Sequence, residues 1–174
     1  MTMRHRVWSE EEIIWLRESL TYCPETGKLW WKERFSNRIR KDLEAGSKVA
    51  SGYIILTKSS NGSTKTFRSH RIAWFLHYGY QPKMLDHINQ DRADNRIINL
   101  RECEMTKNLG NQKPKNTLGI KGVNKLPNGK YQARCFQVYL GVFDDPIDAA
   151  RRYDVEAIKM FGEFAYTNKE HGVY

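Results

Sequence analysis

Four polar residues in one stretch of the sequence could carry hydrolytic chemistry. Asp86 and His87 are adjacent, and the amide side chains of Asn99 and Asn108 follow them. A carboxylate and an amide oxygen suit a hard divalent cation, and an imidazole beside them can take a proton from water. A bound cation and a general base together can hydrolyse a phosphodiester. The pattern therefore predicts a metal-assisted phosphodiester hydrolase.

The elements that must position these residues are short. Apolar residues flank the Asp86-His87 pair, which is typical of a short strand that presents both side chains at its end. A polar segment follows and predicts a loop, and Thr106 is placed to cap a helix that carries Asn108. The predicted order is a strand at 84–88, a loop at 89–95, a strand at 97–100 and a helix to about residue 111.

The segment before this stretch predicts two helices and two hairpins. Ser9 and Glu12 have the spacing of a capping box, which begins a helix that runs to about Leu20. Gly79 is placed to end a second helix in a left-handed conformation. Apolar segments on either side of turn residues predict the hairpins. The hairpins are predicted at 21–22 with 29–31 and at 52–57 with 65–68, and the second helix at 71–78.

The charge of the chain indicates a polyanionic partner. Its 174 residues carry a formal net charge of +9, and the stretches 45–85 and 105–143 contain no acidic residue. Lys and Arg bind nucleic acid favourably because they release the cations condensed on its phosphates. The three cysteines are far apart, which indicates neither a zinc site nor a disulfide framework and favours a reduced, cytoplasmic protein. No apolar run is long enough for a membrane span.

The stretch from His70 to Gln112 resembles an HNH endonuclease of the type found in phage and intron-encoded homing enzymes. Both the residue types and their order match. The matching pattern is His70-Arg71, then Asp86-His87, then Asn95-Arg96-x-x-Asn99-Leu100-Arg101, then Asn108-x-x-Asn111.

In that family the motif folds as two strands and a helix around a metal, and the resemblance implies a role for each matching residue. Asp86 and Asn108 would bind Mg²⁺ or Mn²⁺ through oxygen. His87 would be the general base, and Asn99 would brace the loop and orient His87 through a hydrogen bond. Three further residues are candidate phosphate contacts: His70, for which a structural role is the alternative, Arg71 and Asn111.

The sequence changes character after residue 112. Residues 113–118 are polar and broken by proline, which predicts a linker. Three segments with period-two alternation then predict strands, and Asp144 or Asp145 is placed to cap a helix that Gly162 ends. The strands are predicted at 119–124, 130–136 and 137–143, and the helix carries Ile147, Ala150, Tyr153, Ala157 and Phe161 on one face.

Residues 118–168 resemble an APETALA2-type DNA-binding domain. The matching segments are Lys121-Gly122-Val123, Gly129-Lys130-Tyr131-x-Ala133, Leu140-Gly141-x-Phe143 and Ala149-Ala150-Arg151-Arg152-Tyr153-Asp154. Such domains place a three-stranded sheet in the major groove and back it with the helix. The resemblance implies that Arg134 reads a guanine, that Lys121, Lys125 and Lys130 hold phosphates, and that the DNA face also includes Asn124, Gln132, Phe136, Gln137 and Tyr139.

The strand alternation puts Tyr131, Ala133 and Cys135 on the face toward the helix. Asn124 and Asn128 stand where Arg and Trp are usual in the plant domains. The preferred bases therefore do not carry over from the resemblance.

The predicted fold class is α+β, with a ββα-metal (HNH) nuclease domain at 1–112 and a small three-stranded antiparallel sheet packed on one helix at 119–174. The predicted function is a metal-dependent, sequence-directed DNA endonuclease of the homing type, encoded by a phage or mobile element and acting in the host cytoplasm. It would act on double-stranded DNA as a monomer or homodimer, nicking one strand or cutting both. A fragment ending near Lys115 would keep the nuclease fold and the metal but lose affinity and site preference, and would become a weak, indiscriminate nickase.

Two alternatives stay open at this stage. One is a DNA-binding regulator in which the nuclease fold survives without activity. A pure binder, however, has no use for an uncompensated Asp86 carboxylate that faces phosphate. The other is an RNA-directed nuclease, which a groove-reading sheet disfavours because the A-form major groove is too narrow to admit it.

Overall fold

The computed structural model of the protein describes residues 6–32, 43–60 and 62–174. The chain forms two compact units, Met1–Cys103 and Glu104–Tyr174. Both units combine helices with small sheets, and the strand pairs are antiparallel, which confirms the predicted α+β fold class. None of the described helices has the length and apolar character that a membrane crossing needs.

The division between the units lies before the linker predicted at 113–118. This segment is built into the second unit, because the side-chain amide of Asn116 donates to the carbonyl oxygens of Ile120 and Val123, both at 2.7 Å. The boundary is therefore earlier in the chain than the linker composition predicts, and the domain assignments themselves stay predictions.

The first unit opens with a capped helix and a hairpin. Helix α1 (Glu10–Ser19) has the predicted capping box, since the Ser9 hydroxyl accepts from the Glu12 N–H and the Glu12 carboxylate accepts from the Ser9 N–H. Strands β1 (Leu20–Cys23) and β2 (Lys28–Trp31) follow and form the first predicted hairpin.

A three-stranded sheet and a second helix come next. Strand β3 (Ser47–Lys48) pairs with β4 (Ile54–Ser60), and β4 pairs with β5 (Ser63–Arg68), so the second predicted hairpin is confirmed with longer strands. Asn61 in its turn lies outside the described residues. Helix α2 (Ser69–Tyr78) begins directly after β5 and ends at Gly79 in the predicted left-handed conformation.

One apolar core lies between these helices and sheets. Burying each large apolar side chain is worth about 1.5–3 kcal/mol relative to leaving it exposed, so the core fixes the framework that carries the later loop. Its buried members are Trp8, Leu16, Leu20, Leu29, Trp31, Ala45, Leu56, Phe67, Ile72 and Phe75.

The polar motif lies on a two-stranded sheet at the end of the first unit. Strand β6 (Leu85–His87) pairs with β7 (Leu100–Glu102). A 3₁₀ helix, Ile97–Asn99, precedes β7, so Asn99 lies in a turn and not in the strand predicted at 97–100. The strand prediction was wrong here because the chain must bend to bring the end of the loop back to β6.

The second unit begins with a short helix, α3 (Met105–Gly110), which carries Asn108. The predicted cap is wrong, because Glu104 occupies the N-cap position and Thr106 lies inside the helix. Glu104 makes no side-chain capping bond.

Three strands and a long helix form the rest of the second unit. Strand β9 (Tyr131–Cys135) lies between β8 (Val123–Lys125) and β10 (Val138–Phe143) in an antiparallel sheet. Helix α4 (Pro146–Phe161) begins at Asp145, whose carboxylate accepts from the Ile147 N–H at 2.7 Å. The prediction of three strands backed by one helix is confirmed, although β8 begins later than predicted.

The reversal between β9 and β10 takes two residues out of the sheet. Phe136 has a positive φ of 53°, and β10 begins only at Val138. Phe136 and Gln137 therefore lie in the turn and not on a strand face, which corrects their predicted place on the sheet.

A small apolar core joins the sheet of the second unit to α4. Val123, Ala133, Ala149 and Ala150 are buried in it, as the predicted alternation requires for Ala133. Gly122 has a φ of +74°, and a Cβ at this position would lie 2.0 Å from the Tyr153 ring. Glycine is needed there because the backbone passes directly against that ring.

The chain end is tied to α4 by a buried carboxylate. Asp154 accepts from the backbone N–H groups of Asn168 and Lys169 and from the Tyr174 hydroxyl, at 2.8–2.9 Å. The Asn168 side chain in turn bonds the backbone N–H and carbonyl of Lys121. Because these partners are far apart in the sequence, no local pattern predicts the network.

Candidate active site and nucleic-acid interface

Asp86 and His87 lie on β6, as predicted, and both side chains are buried, with 8% and 5% of their surface exposed. The strand register places Asp86 opposite Arg101 and His87 opposite Leu100 on β7. A short paired strand holds both polar groups rigidly, which a flexible loop would not do.

Asp86 is ion-paired. Arg101 donates to the same Asp86 carboxylate oxygen from Nε at 3.2 Å and from Nη2 at 3.0 Å. The expectation of an uncompensated carboxylate is therefore wrong, because the β6–β7 register brings a guanidinium directly to it. A cation at Asp86 would share this carboxylate with Arg101.

The Asn95 side chain contacts His87. Its Oδ1 lies 3.3 Å from His87 Nε2, and the amide is buried, since its exposed fraction is 2%. In the neutral ring, a hydrogen on Nε2 would be donated to this oxygen, which makes Nδ1 the basic nitrogen. The prediction that Asn99 makes this bond is wrong.

The first hairpin holds Asn95 in place. The Tyr22 hydroxyl donates to the Asn95 carbonyl at 2.8 Å, and the Ile97 N–H donates to the Pro24 carbonyl at 3.1 Å. Gly27 lies at the hairpin turn with a φ of +72°, and a Cβ there would lie 2.4 Å from the backbone nitrogen of Arg96. Only glycine permits this approach of the hairpin to the loop.

Asn99 braces the loop, as predicted, but through the backbone. Its Oδ1 accepts from the Asn89 N–H at 3.0 Å, and its Nδ2 donates to the Asp94 carbonyl at 2.8 Å. Both ends of the loop that carries Asn95 are thus joined by one amide side chain. Asn99 acts on His87 indirectly, by fixing the loop.

An aromatic cluster surrounds His87. The His70 ring lies 5.0 Å from the His87 ring in an edge-to-face contact, and Tyr53 contacts both, at 5.3 Å from His70 and 6.1 Å from His87. His70 is buried, and its Nδ1 has no hydrogen-bond partner among the residues that the structure describes. This burial favours the structural role for His70 over the phosphate contact.

Burial keeps both histidines neutral near pH 7. Desolvation lowers the pKa of His87, although its bond to Asn95 and the nearby Asp86 charge act in the opposite direction. Desolvation, followed by the charges of His87, Arg68 and Arg71, holds the pKa of His70 well below its usual value. A neutral His87 is the form that can accept a proton.

The other predicted site residues are carried by other elements. The Arg71 guanidinium donates to the Pro82 carbonyl at 2.6 Å and so ties α2 to the segment before β6. Asn108 is carried by α3, and Asn111 is the buried C-cap residue of that helix. Both asparagines belong to the second unit.

The donor set suits a hard cation. Among the described residues, no three His, Cys, Asp or Glu side chains lie together as a metal site. The predicted ligands are one carboxylate and one amide oxygen, a set that suits Mg²⁺ because this ion keeps several waters and is bound through few carboxylates. Asp86 is therefore a donor of the type that fits a hard cation such as Mg²⁺ or Mn²⁺.

The sheet of the second unit has one face turned away from α4. Ala133 and Cys135 are fully buried, whereas Arg134 between them is exposed. The register places Arg134 beside Tyr139 and Gln132 beside Asn124 on that face, as predicted. Arg134 and Tyr139 are both exposed there and can contact a ligand.

The predicted phosphate-binding lysines differ in their surroundings. Lys125 is exposed, and Lys130 forms an ion pair of 2.9 Å with Asp144 between exposed side chains. Lys121 instead donates to the carbonyl oxygens of Leu109 and Gly110 at the end of α3, and burial lowers its pKa to about 8.

The Lys121 ammonium also lies 5.2 Å from the centre of the Tyr166 ring. Cations are stabilised at the C-terminal end of a helix and over aromatic faces. These contacts assign Lys121 a structural role in place of the predicted phosphate contact.

Three site residues received no role from the sequence: Asn95, Arg101 and Tyr53. Asn95 and Arg101 were part of the matching motif, but their partners depend on the loop path and the strand register. Tyr53 lies far from the motif in the sequence, so no pattern indicated it.

Comparison with known proteins agrees with the motif. Residues 68–109 match the family model described as HNH endonuclease. The matched segment runs from the end of β5 into α3 and contains Asp86, His87, Asn99 and Asn108. The chain thus contains an HNH endonuclease-type segment.

The chain is also similar to two known proteins, each over a different share of its length. A protein of Oryza sativa subsp. japonica, named for its AP2/ERF and B3 domains, is 43% identical over 53 residues, which are 28% of this chain and 17% of that protein. A solved structure of DNA binding and cleavage by the HNH homing endonuclease I-HmuI is 23% identical, with a TM-score of 0.40, over 53% of this chain and 51% of that chain. The chain therefore spans 17% of the length of the Oryza sativa protein and 51% of the length of the endonuclease chain.

Proposed function

We propose that the protein is a DNA endonuclease that hydrolyses phosphodiester bonds with His87 as general base. The observation that carries this proposal is the pairing of a buried, neutral His87 with the adjacent Asp86 carboxylate, within the segment that matches the HNH endonuclease model. Neither group alone would indicate hydrolysis. Together they provide a proton acceptor and an anionic oxygen ligand on one short strand.

His87 takes the proton from the attacking water. In the tautomer whose Nε2–H donates to Asn95, Nδ1 is the nitrogen that accepts. The His70 and Tyr53 rings pack against His87 and limit its rotation. Asn95 and Asn99 are positioning residues, since they act through the ring and the loop.

Asp86 and Asn108 are the proposed ligands of Mg²⁺ or Mn²⁺. When bound, the ion supplies positive charge to the scissile phosphate and the leaving oxygen. Arg101 orients the Asp86 carboxylate at 3.0 Å until the cation binds. The support for Asn108 is its place in the matched motif.

The second unit is the proposed reader of double-stranded DNA. Its exposed sheet face carries Arg134, Gln132, Asn124 and Tyr139, which are residue types that contact base edges or sugar-phosphate groups. Lys125, at the end of β8, and Lys130, just before β9, are exposed and can hold phosphates. The homing type and the phage or mobile-element source are proposals on the resemblance alone.

One observation favours a second function, a catalytically silent DNA-binding regulator. Because Arg101 compensates the Asp86 charge, that carboxylate would be tolerated in a protein that binds no metal. Such a protein would keep the fold and the basic surfaces without hydrolysing DNA.

Incubation with supercoiled plasmid separates the two functions. We expect conversion to nicked or linear plasmid only with Mg²⁺ or Mn²⁺, and loss of this activity on chelation. His87→Ala should lower the rate on the order of 10²–10⁴-fold while DNA binding persists. DNA binding without cleavage under every metal condition would support the regulator instead.

A further inference from the structure

Tyr53 lies between two arginines beside the candidate catalytic histidine. The Arg68 guanidinium carbon is 4.5 Å from the centre of the Tyr53 ring, and that of Arg92 is 5.0 Å from it. The same ring contacts His70 and His87. One aromatic side chain therefore contacts two arginines, His70 and His87.

Three separate segments build this arrangement. A tight turn, in which the Gly52 N–H donates to the Val49 carbonyl at 2.8 Å, presents Tyr53. Arg68 is the last residue of β5 and the N-cap of α2. Arg92 comes from the loop after β6 and donates to the Ser51 carbonyl at 3.0 Å.

The charge around the arginines favours an anionic ligand. Residues 45–85 contain no acidic residue, so Tyr53 and Arg68 lie in a stretch without carboxylates. Among the described residues, no carboxylate is ion-paired with Arg92, and the Asp94 carboxylate in its loop is held by Arg96 at 2.6 Å. The Arg92 guanidinium lies over the aromatic ring and can donate from its N–H edge to a phosphate.

We propose that Arg68 and Arg92, held by the Tyr53 ring, form a clamp for DNA backbone phosphates next to the phosphodiester that His87 acts on. The clamp rests on the proposed function, because it assumes that DNA enters beside His87. It adds a phosphate-binding surface in the first unit to the recognition sheet of the second. The arginines bind substrate, and Tyr53 is a positioning residue.

The test measures how binding of a labelled, random-sequence DNA duplex depends on salt, without added metal. Each neutralised phosphate contributes roughly 0.9 to the slope of log affinity against log salt. We expect Arg68→Gln and Arg92→Gln each to reduce the slope by about 0.9. Arg96→Gln is the matched control: it removes the same charge from the same loop, but Asp94 already holds that guanidinium, so the slope should not change.

Variants at Tyr53 test the positioning role. Tyr53→Phe keeps the ring face and should keep the parent slope, whereas Tyr53→Leu should flatten the slope without removing any charge. A purely structural ring would lower the melting temperature in Tyr53→Leu and leave the slope unchanged, which contradicts the proposal.

The remaining outcomes separate the clamp from the proposed hydrolysis. If Arg68→Gln and Arg92→Gln both show the same salt slope as the parent protein, the clamp is overturned, even if the parent cuts plasmid. An equal loss of slope in Arg96→Gln and Arg92→Gln would also overturn it, because the effect would then be one of net charge. A parent that binds the duplex but never cuts, with reduced slopes in both arginine variants, would overturn the hydrolysis and support the clamp.

Discussion

Arg101 donates two hydrogen bonds to one carboxylate oxygen of Asp86, across the two-stranded sheet β6–β7. The proposed metal ligand is thus already neutralised by the protein. A divalent cation must share that oxygen or use the other one, so Arg101 tunes both the stability of the metal-free protein and its affinity for the ion.

Arg101→Gln should destabilise the metal-free protein by about 1–3 kcal/mol, because a largely buried carboxylate loses its charged partner. Mn²⁺ should then raise the melting temperature more in the variant than in the parent, since no guanidinium competes for Asp86. Calorimetric melting with and without Mn²⁺ measures both effects. Arg96→Gln breaks a more exposed pair and serves as control, with a loss of at most about 1 kcal/mol. An equal response to Mn²⁺ in Arg101→Gln and the parent would place the metal away from Asp86.

The pH dependence of cleavage should report the pKa of His87. A base acts in its unprotonated form, and burial lowers this pKa, so the rate should rise with pH and reach half of its plateau below the usual value of about 6.5. Asn95→Ala removes a bond that raises the pKa, so the midpoint should move to lower pH while the plateau falls through loss of orientation. Initial rates across a pH series give both quantities. An unchanged midpoint in Asn95→Ala would show that the bond does not act on His87.

Gly27→Ala should reduce activity although Gly27 itself takes no part in the chemistry. A Cβ there would lie 2.4 Å from the Arg96 nitrogen and would push away the loop that carries Asn95. Gly62→Ala is the matched control, because Gly62 has a φ of +73° and a Cβ added there would meet no atom within 4 Å. The control should cost about 1–2 kcal/mol of stability from backbone strain and keep the cleavage rate. Equal cleavage rates in the two variants would contradict the positioning role of the hairpin.

Lys121→Ala and Arg134→Ala should have different effects on the second unit. Lys121 bonds the end of α3, so its loss should lower stability by about 1 kcal/mol and leave the salt dependence of DNA binding unchanged. Arg134 is exposed on the sheet face, so its loss should cost roughly 1–3 kcal/mol of binding on a preferred site and relax one base preference. Thermal melting and binding titrations separate the two. A reduced salt slope in Lys121→Ala would restore its predicted phosphate contact.

A fragment ending at Lys115 should not keep α3 folded. Gly110 packs against Phe161, and its carbonyl accepts from the Tyr166 N–H at 2.8 Å, so the fragment removes the partners of this helix. A helix of six residues is not stable alone. We therefore expect rapid amide exchange at 105–110 and no plasmid nicking, in place of the weak nickase that the sequence predicts. Nicking by the fragment would show that Asn108 is not needed.

The sequence by itself determined the elements whose signals are local. The capping box at Ser9, the two hairpins, the left-handed end of α2 at Gly79 and the Asp145 cap of α4 are each formed within one short, continuous segment of the chain. Hydrogen bonds and steric limits inside such short segments do not depend on the rest of the fold. Asp86 and His87 are adjacent in the sequence, so their pairing was predictable for the same reason.

Only the tertiary structure decided the partners of those residues. Arg101 reaches Asp86 because of the β6–β7 register, and Asn95 rather than Asn99 contacts His87 because a hairpin from the start of the chain fixes the loop. Lys121 lies at the end of α3 because the second unit folds back on that helix. In each case the contact depends on packing between segments distant in sequence, and a charge or amide read from the sequence alone shows what it can bind but not which neighbour occupies it.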